Sequence, residues 1–340
     1  MDVQELNAIA RSIVADHKGV LAADESTGTI KKRFDSIGLE STEESRRAYR
    51  NLLFTTAGAE DSIGGVILYD ETIRQSADDG TPFPQLLESK GIVPGIKVDT
   101  GAQDLAGHPS EKVTEGLDGL RARFAEYHDL GARFSKWRGV ITIGDGIPTD
   151  ACLHVNAHAL ARYAALSQEA GIAPIVEPEV LMDADNTIER CHEVTSRTLD
   201  LVFAELERQG VALEGMLLKP NMVISGKQCP TQATSEQVAE LTIDCFLRHV
   251  PAMVPGIVFL SGGQSEVEAT ENLNAVSRLG GPWPLSFSYG RALQASALTA
   301  WGGEPANVEA AQSAFLHRAR MNALAAAGDW NADLEQAVPA

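Results

Sequence analysis

The sequence is short of several things that would narrow its class at once. Only four of its 340 residues are cysteine, namely Cys152, Cys191, Cys229 and Cys245, and no two form a Cys-x-x-Cys pair. That spacing suggests neither a zinc site nor a disulfide framework, and free thiols in a chain of this size fit a reducing compartment. Basic residues are also few: 28 Lys and Arg against 47 Asp and Glu leave a formal net charge of −19. A nucleic-acid partner would call for a basic face and is not expected, although a local cluster of cations can still draw a small anion into an acidic protein. No apolar stretch runs uninterrupted to membrane-spanning length, and Met1 to Glu5 hold no basic region followed by an apolar run. Neither a membrane span nor a secretory signal is therefore expected, and a cytoplasmic protein is the default. No Pro/Gly/Ser linker long enough to divide domains interrupts the chain, and no repeat is visible. One domain over residues 1–327 is expected, then a polar, small-residue tail at 328–340 that is expected to be flexible.

What is present is an alternation of short apolar runs with helical patterns, in a chain that is 44% hydrophobic. The runs begin at Gly19, Gly64, Ile92, Ala132, Pro174, Gly215, Gly256 and Leu285. Helical spacing is expected over 2–17, from Thr42, over 113–130, 151–170, 185–209 and 235–249, from about Ser265, from Ala292, and over 305–327. Lys31 to Arg33 read as a polar segment leading into the helix that Thr42 starts, and Pro94 argues that its strand becomes regular late. Eight strands alternating with helices predict a single (β/α)8 barrel, with an N-terminal helix and a C-terminal helix. A doubly wound sheet remains the alternative, because alternation alone does not show closure.

The ends of these runs carry charge. Asp24, Lys97 with Asp99, Lys136 with Arg138, Glu177 with Glu179, Lys219, Ser261 and Arg291 all fall near C-terminal strand ends. In a barrel those ends converge on one mouth, where barrel active sites lie. Met216-Leu217-Leu218 delivers Lys219 out of an apolar run, and Pro220 stops pairing after it. Such a lysine is either a salt-bridged or snorkelling strand-end residue or a desolvated amine able to form a Schiff base with a carbonyl substrate. Lys136 is the cation placed to favour its neutral form, Glu177 or Glu179 suits the proton transfers, and Asp24 can take a proton from a hydroxyl or serve as counter-ion. Ser261-Gly262-Gly263 and Ser288-Tyr289-Gly290-Arg291, on the last two strands, look like phosphate cradles. Ser26 and Thr29 with Lys97 offer a second anion site. His154 and His158 stand four apart on a helix but have no third ligand nearby, so they read as surface or packing residues.

Laid end to end, the segments resemble the class I, Schiff-base, fructose-bisphosphate aldolases. The resemblance rests on Leu21-Ala22-Ala23-Asp24-Glu25-Ser26-Thr27-Gly28, Gly95-Ile96-Lys97-Val98-Asp99, Lys136-Trp137-Arg138, Ile175-Val176-Glu177-Pro178-Glu179, Leu217-Leu218-Lys219-Pro220-Asn221-Met222, Phe259 to Ser265 and Phe287 to Gln294, in order over roughly residues 5–327. It implies a barrel, a homotetramer, no metal or other cofactor, and reversible cleavage of fructose 1,6-bisphosphate to dihydroxyacetone phosphate and glyceraldehyde 3-phosphate. It also implies Lys219 as the Schiff-base lysine, Glu177 as its acid/base, Asp24 at the C3–C4 cleavage, and Lys136 and Glu179 in support. Ser261, Gly262, Gly263, Ser288, Gly290 and Arg291 would hold the 1-phosphate. Ser26, Thr29 and Lys97 would hold the 6-phosphate, with Arg33, Arg46 and Arg138 as further contacts. Animal members of the family end on a functional tyrosine, whereas this sequence ends Ala337-Val338-Pro339-Ala340 and has its last tyrosine at Tyr289. Water, phosphate or another side chain is expected to take over protonation of the enamine. The alternatives are a Schiff-base enzyme for another phosphorylated sugar and a scaffold protein built on the same body.

Overall fold

Each apolar run of the sequence becomes a strand, and the strands close into a ring. The computed structural model describes residues 2–336. The strands are β1 (Gly19–Ala22), β2 (Ile63–Leu68), β3 (Val93–Lys97), β4 (Gly101–Asp104), β5 (Lys112–Glu115), β6 (Phe134–Ile141), β7 (Ala173–Val180), β8 (Leu217–Leu218), β9 (Ile257–Phe259) and β10 (Leu285–Tyr289). Eight of them form a closed barrel in the order β1-β10-β9-β8-β7-β6-β3-β2, and every barrel pairing is parallel. Closure decides against the doubly wound sheet. No helix among the described residues is long and apolar enough to cross a membrane.

Side chains alternate along a strand, so residues two apart share a face. On β6, Phe134, Lys136 and Arg138 point inward, while Trp137 points out and stacks on Tyr163 with ring centroids 5.7 Å apart. The lower interior is apolar. Val20, Phe134, Ala173, Ile175, Leu217 and Val258 cluster there with Leu6, Ala10 and Ile13 of the helix Val3–Ile13, which closes the bottom of the barrel. Two glycines make room for the largest of these groups. A β-carbon on Gly95 would lie 2.3 Å from the Phe134 ring, and one on Gly64 would lie 2.1 Å from the Ile13 carbonyl oxygen.

Four expectations are corrected. The segment 113–130 is not one helix: β5 pairs antiparallel with β4 as a hairpin, and the helix is confined to Leu120–Asp129. Gly116 and Gly119, at φ of +125° and +67°, separate the two, and an uninterrupted helix tolerates neither value. The polar stretch at Lys31 is itself helical, Thr27–Asp35, and buries Ile30 and Phe34 four residues apart. β3 is regular from Val93, because Pro94 needs to give the ladder only its carbonyl, which accepts from Arg133 N at 2.9 Å. Finally, residues 328–336 are docked rather than trailing. Trp330 is buried, its Nε1 donates to Glu335 Oε1 at 2.9 Å, and Glu335 also pairs with the buried Arg318. The expectation for 337–340 lies outside the described residues.

Candidate active site

The strand ends gather around a cavity of about 1110 Å³ at the C-terminal mouth of the barrel. Its lining includes nine lysine and arginine side chains and seven aspartate and glutamate ones, in a chain whose totals are 28 and 47. The charge balance of the whole molecule is thus reversed at the site, as an anionic substrate requires.

Lys219 is held by its neighbours in sequence. Its backbone N–H donates to the Val176 carbonyl at 2.8 Å, which keeps it in register after β8 ends. Pro220 has no N–H, and its carbonyl accepts from Leu260 N at 3.1 Å. Asn221 Oδ1 then accepts from Val180 N at 2.9 Å, taking the place of a backbone carbonyl at the end of β7. The Lys219 ammonium is consequently fixed inside the barrel, 4% exposed, with Glu177 Oε1 at 3.1 Å.

Glu177 joins the two buried amines. Its Oε2 lies 3.4 Å from Lys136 Nζ and has no aligned hydrogen bond among the described residues. Lys136 Nζ also stands 2.7 Å from Asp24 Oδ2 and 3.8 Å from Asp99 Oδ2. Burial works against a charge on Lys136, but Asp24, Glu177 and Asp99 outweigh it and push its pKa above the ordinary lysine value. Burial likewise works against ionisation of Asp24, and Lys136 and Lys219 outweigh it, so its carboxyl is held well below the usual range. The pairing thus favours the carboxylate form of Asp24 and the charged form of Lys136 in this arrangement of side chains.

The outer ring holds most of the remaining candidates. Lys97 Nζ lies 2.8 Å from Asp99 Oδ1, and Arg138 pairs with Glu179. Ser26 Oγ and Thr29 Oγ1 are 3.1 Å apart at the start of the helix Thr27–Asp35. Across the mouth, Ser261, Gly262, Gly263, Ser288, Gly290 and Arg291 line one side. Gly262 and Gly263 sit at φ of +59° and +95°, which turns the chain sharply after β9. Ser288 Oγ is buried there without a hydrogen-bond partner among the described residues, a donor and acceptor open to a ligand.

Every predicted site residue lines this cavity except Arg46. Arg46 is occupied instead, with Nε and Nη2 on the two Glu71 oxygens at 2.7 and 2.6 Å. The two histidines of the helix Asp150–Glu169 lie apart from the mouth, His154 exposed and His158 Nδ1 3.1 Å from Glu205. The sequence reading missed three features. Glu25 is a buried anchor that pairs with both Arg33 and Arg50 and accepts from Gln294 Nε2 at 3.1 Å, which pins the chain beside Asp24. Tyr69 lines the cavity with Lys97 Nζ 6.0 Å from its ring centroid. Lys227, in the loop after β8, reaches the cavity beside Gly263. Only the lysine at the end of Gly226-Lys227 offered any signal, and a lone loop lysine is too common to read.

A parallel barrel whose mouth joins a buried amine to carboxylates and a cationic, glycine-turned rim has the layout of a barrel enzyme for an anionic substrate. Comparison with known proteins narrows this. The family model "Fructose-bisphosphate aldolase class-I" matches residues 5–339. The probable fructose-bisphosphate aldolase class 1 of Xanthomonas campestris pv. campestris is 57% identical over 97% of this chain and 99% of its own length. The fructose-bisphosphate aldolase of Dictyostelium discoideum is 52% identical, over 97% and 93%. A solved structure of the Plasmodium falciparum fructose-bisphosphate aldolase, in complex with TRAP and a small-molecule inhibitor, superposes with a TM-score of 0.95 at 50% identity, over 97% and 96% of the two chains. The chain belongs to the class I fructose-bisphosphate aldolase family. It is a carbon–carbon lyase that performs the reversible aldol cleavage of fructose 1,6-bisphosphate in glycolysis.

Proposed function

We propose that the cleavage runs through a Schiff base on Lys219. The observation that carries this is Glu177 set between two buried amines, with Oε1 on Lys219 and Oε2 toward Lys136. An amine attacks a carbonyl only when neutral, and Glu177 is placed to take the proton that Lys219 must lose. The Lys219 nitrogen adds to C2 of the ketose, and Glu177 returns a proton to the oxygen that leaves as water. The resulting iminium draws the C3–C4 bonding electrons toward nitrogen, while Asp24, held as a carboxylate, accepts the C4 hydroxyl proton. The aldehyde half departs and an enamine remains. Protonation at C3 and hydrolysis then release dihydroxyacetone phosphate and restore the lysine. Lys136, whose carboxylate neighbours favour its charged form, stabilises the oxyanion of the carbinolamine, and Glu179 holds Arg138 in the same network.

The two ends of the sugar are assigned by the same logic. Ser261, Gly262, Gly263, Ser288, Gly290 and Arg291 take the 1-phosphate, with the free Ser288 hydroxyl as one donor. Ser26, Thr29 and Lys97 take the 6-phosphate, with Arg33 and Arg138 beside them. Arg46 acts at most through Glu71, its present partner. The enamine proton comes from water, phosphate or a side chain other than Tyr289, whose hydroxyl is buried and donates to the Ala269 carbonyl at 3.0 Å. A homotetramer in the cytoplasm completes the reading, supported by family resemblance and by a 51% identical Arabidopsis thaliana relative named as cytosolic. Sedimentation of the native protein tests the assembly, and a monomer or dimer would refute it.

Borohydride reduction with dihydroxyacetone phosphate, with and without EDTA, followed by peptide mapping, tests the chemistry. The expected result is one reduced adduct, on Lys219, unchanged by chelation. An adduct on another lysine, or activity abolished by EDTA, would overturn the mechanism.

A further inference from the structure

Two cations, not one, stand over the glycine turn. If Gly263 carried a β-carbon, Lys227 Nζ would lie 2.5 Å from it and Arg291 Nη2 2.9 Å from it. The missing side chain at Gly263 is what lets both groups approach the same point. Arg291 comes from the strand-to-helix junction after β10, and Lys227 from the loop after β8, so the turn is approached from both sides.

The backbone at Lys227 is fixed. Gly226 N donates to Asn186 O at 2.8 Å, Lys227 N to Met182 O at 2.8 Å, and Gln228 N to Ala184 O at 2.9 Å. Three successive residues are thus laced to the loop after β7. The lacing requires glycine at 226, where a β-carbon would meet the Ala184 carbonyl oxygen at 2.1 Å. Only the side chain of Lys227 is left to move. Its partner is Asp183, with Nζ 3.0 Å from Oδ1, and that carboxylate is 66% exposed. An ion pair so open to water is weak and easily exchanged.

We infer that Lys227 is a phosphate-binding residue of the aldolase, turning from Asp183 onto the phosphate that the Gly262–Gly263 turn receives. A phosphate monoester carries up to two negative charges at neutral pH. Arg291 answers one of them, and Lys227 answers the other from a backbone already in place. Asp183 is the internal competitor that holds the ammonium while the cradle is empty. This rests on the reading that the cradle holds the 1-phosphate.

The test compares Lys227→Met, Asp183→Asn and Arg291→Ala in the full-length enzyme. Two readouts are taken: KM and kcat for fructose 1,6-bisphosphate, and the dihydroxyacetone phosphate concentration that gives half-maximal borohydride trapping. Lys227→Met is expected to raise both concentrations about tenfold, the size of one lost charge-assisted hydrogen bond, with the change in KM rather than kcat. Asp183→Asn is expected to act in the opposite direction, lowering both about threefold, because it removes the competitor. If Lys227 merely fastens the two loops, the two substitutions will weaken binding alike or leave it unchanged, and either result overturns the inference. If Arg291→Ala leaves phosphate affinity intact, the cradle reading itself fails. If the wild-type enzyme is not trapped at all, the Schiff-base reading fails and the KM series alone decides the role of Lys227.

Discussion

The lower and upper halves of the barrel are built from the same strands and obey opposite rules. Two residues along β6 separate Phe134 from Lys136, and two residues along β7 separate Ile175 from Glu177. On β8 the same step leads from Leu217 to Lys219. Below that step the interior is apolar, closed by the helix Val3–Ile13, and packed so closely that glycines are needed for clearance. Above it the interior is an electrolyte in which Asp24, Lys136, Glu177 and Lys219 lie within about one ion-pair distance of each other's partners. The charged layer is costly to bury, and the apolar layer beneath holds it in place. Stability and chemistry are therefore separated by a single turn of the strand pleat.

Substitutions on either side of the step should separate the two properties. The largest effect is expected for Glu177→Gln, which removes the carboxylate proposed to carry protons between the amines. Its kcat should fall about 10² to 10⁴-fold, the usual size of an acid/base contribution, in single-turnover assays. A fall below tenfold would place the proton transfers elsewhere. Ile13→Ala should do the reverse. Ile13 is fully buried against the strands, and its truncation should cost about 2–5 kcal/mol in urea unfolding with kcat nearly unchanged. Equal losses of rate and stability would mean that the floor and the site are not separable. The smallest effect concerns acid. The depressed Asp24 pKa means its pairing stabilises the fold fully above the unfolded value of about 3.9, and that stability is lost as pH falls through the lower folded value. The Lys136 pKa is raised, so its share is fully present below the ordinary lysine value of about 10.4 and is lost as the pH climbs from there through the raised value. Between these limits the pair does not titrate. Asp24→Asn should leave the pH dependence of unfolding near neutrality unchanged and flatten its slope below pH of about 4. A slope in the wild type near pH 6 that disappears in this variant would contradict the assignment.

The barrel and its central charges were legible because charge interrupts an apolar run only at its end. Lys97, Glu177 and Lys219 each stand out against the β-branched and leucine residues before them. The β4–β5 hairpin was not legible, since four-residue strands show too few alternations to compete with a helical period. Glu25 was read as part of a polar turn because its partners, Arg33 and Arg50, are 8 and 25 residues away on two separate helices. Arg46 shows the converse: its type suits a phosphate, but Glu71, also 25 residues off, already holds it bidentately. Lys227 is invisible for a further reason. Its place is set by main-chain bonds to residues 182–186, and main-chain bonds leave almost no trace in residue identity apart from Gly226.

The floor made by Phe134, Leu217 and the N-terminal helix has one more effect, on traffic. Among the described residues, the chamber opens at the mouth and is floored by packed apolar side chains. Substrate enters and both products leave from that side. On the proposed Schiff base, the half of the sugar joined to Lys219 is the last to leave, because hydrolysis must free it first, and it departs by the way it came.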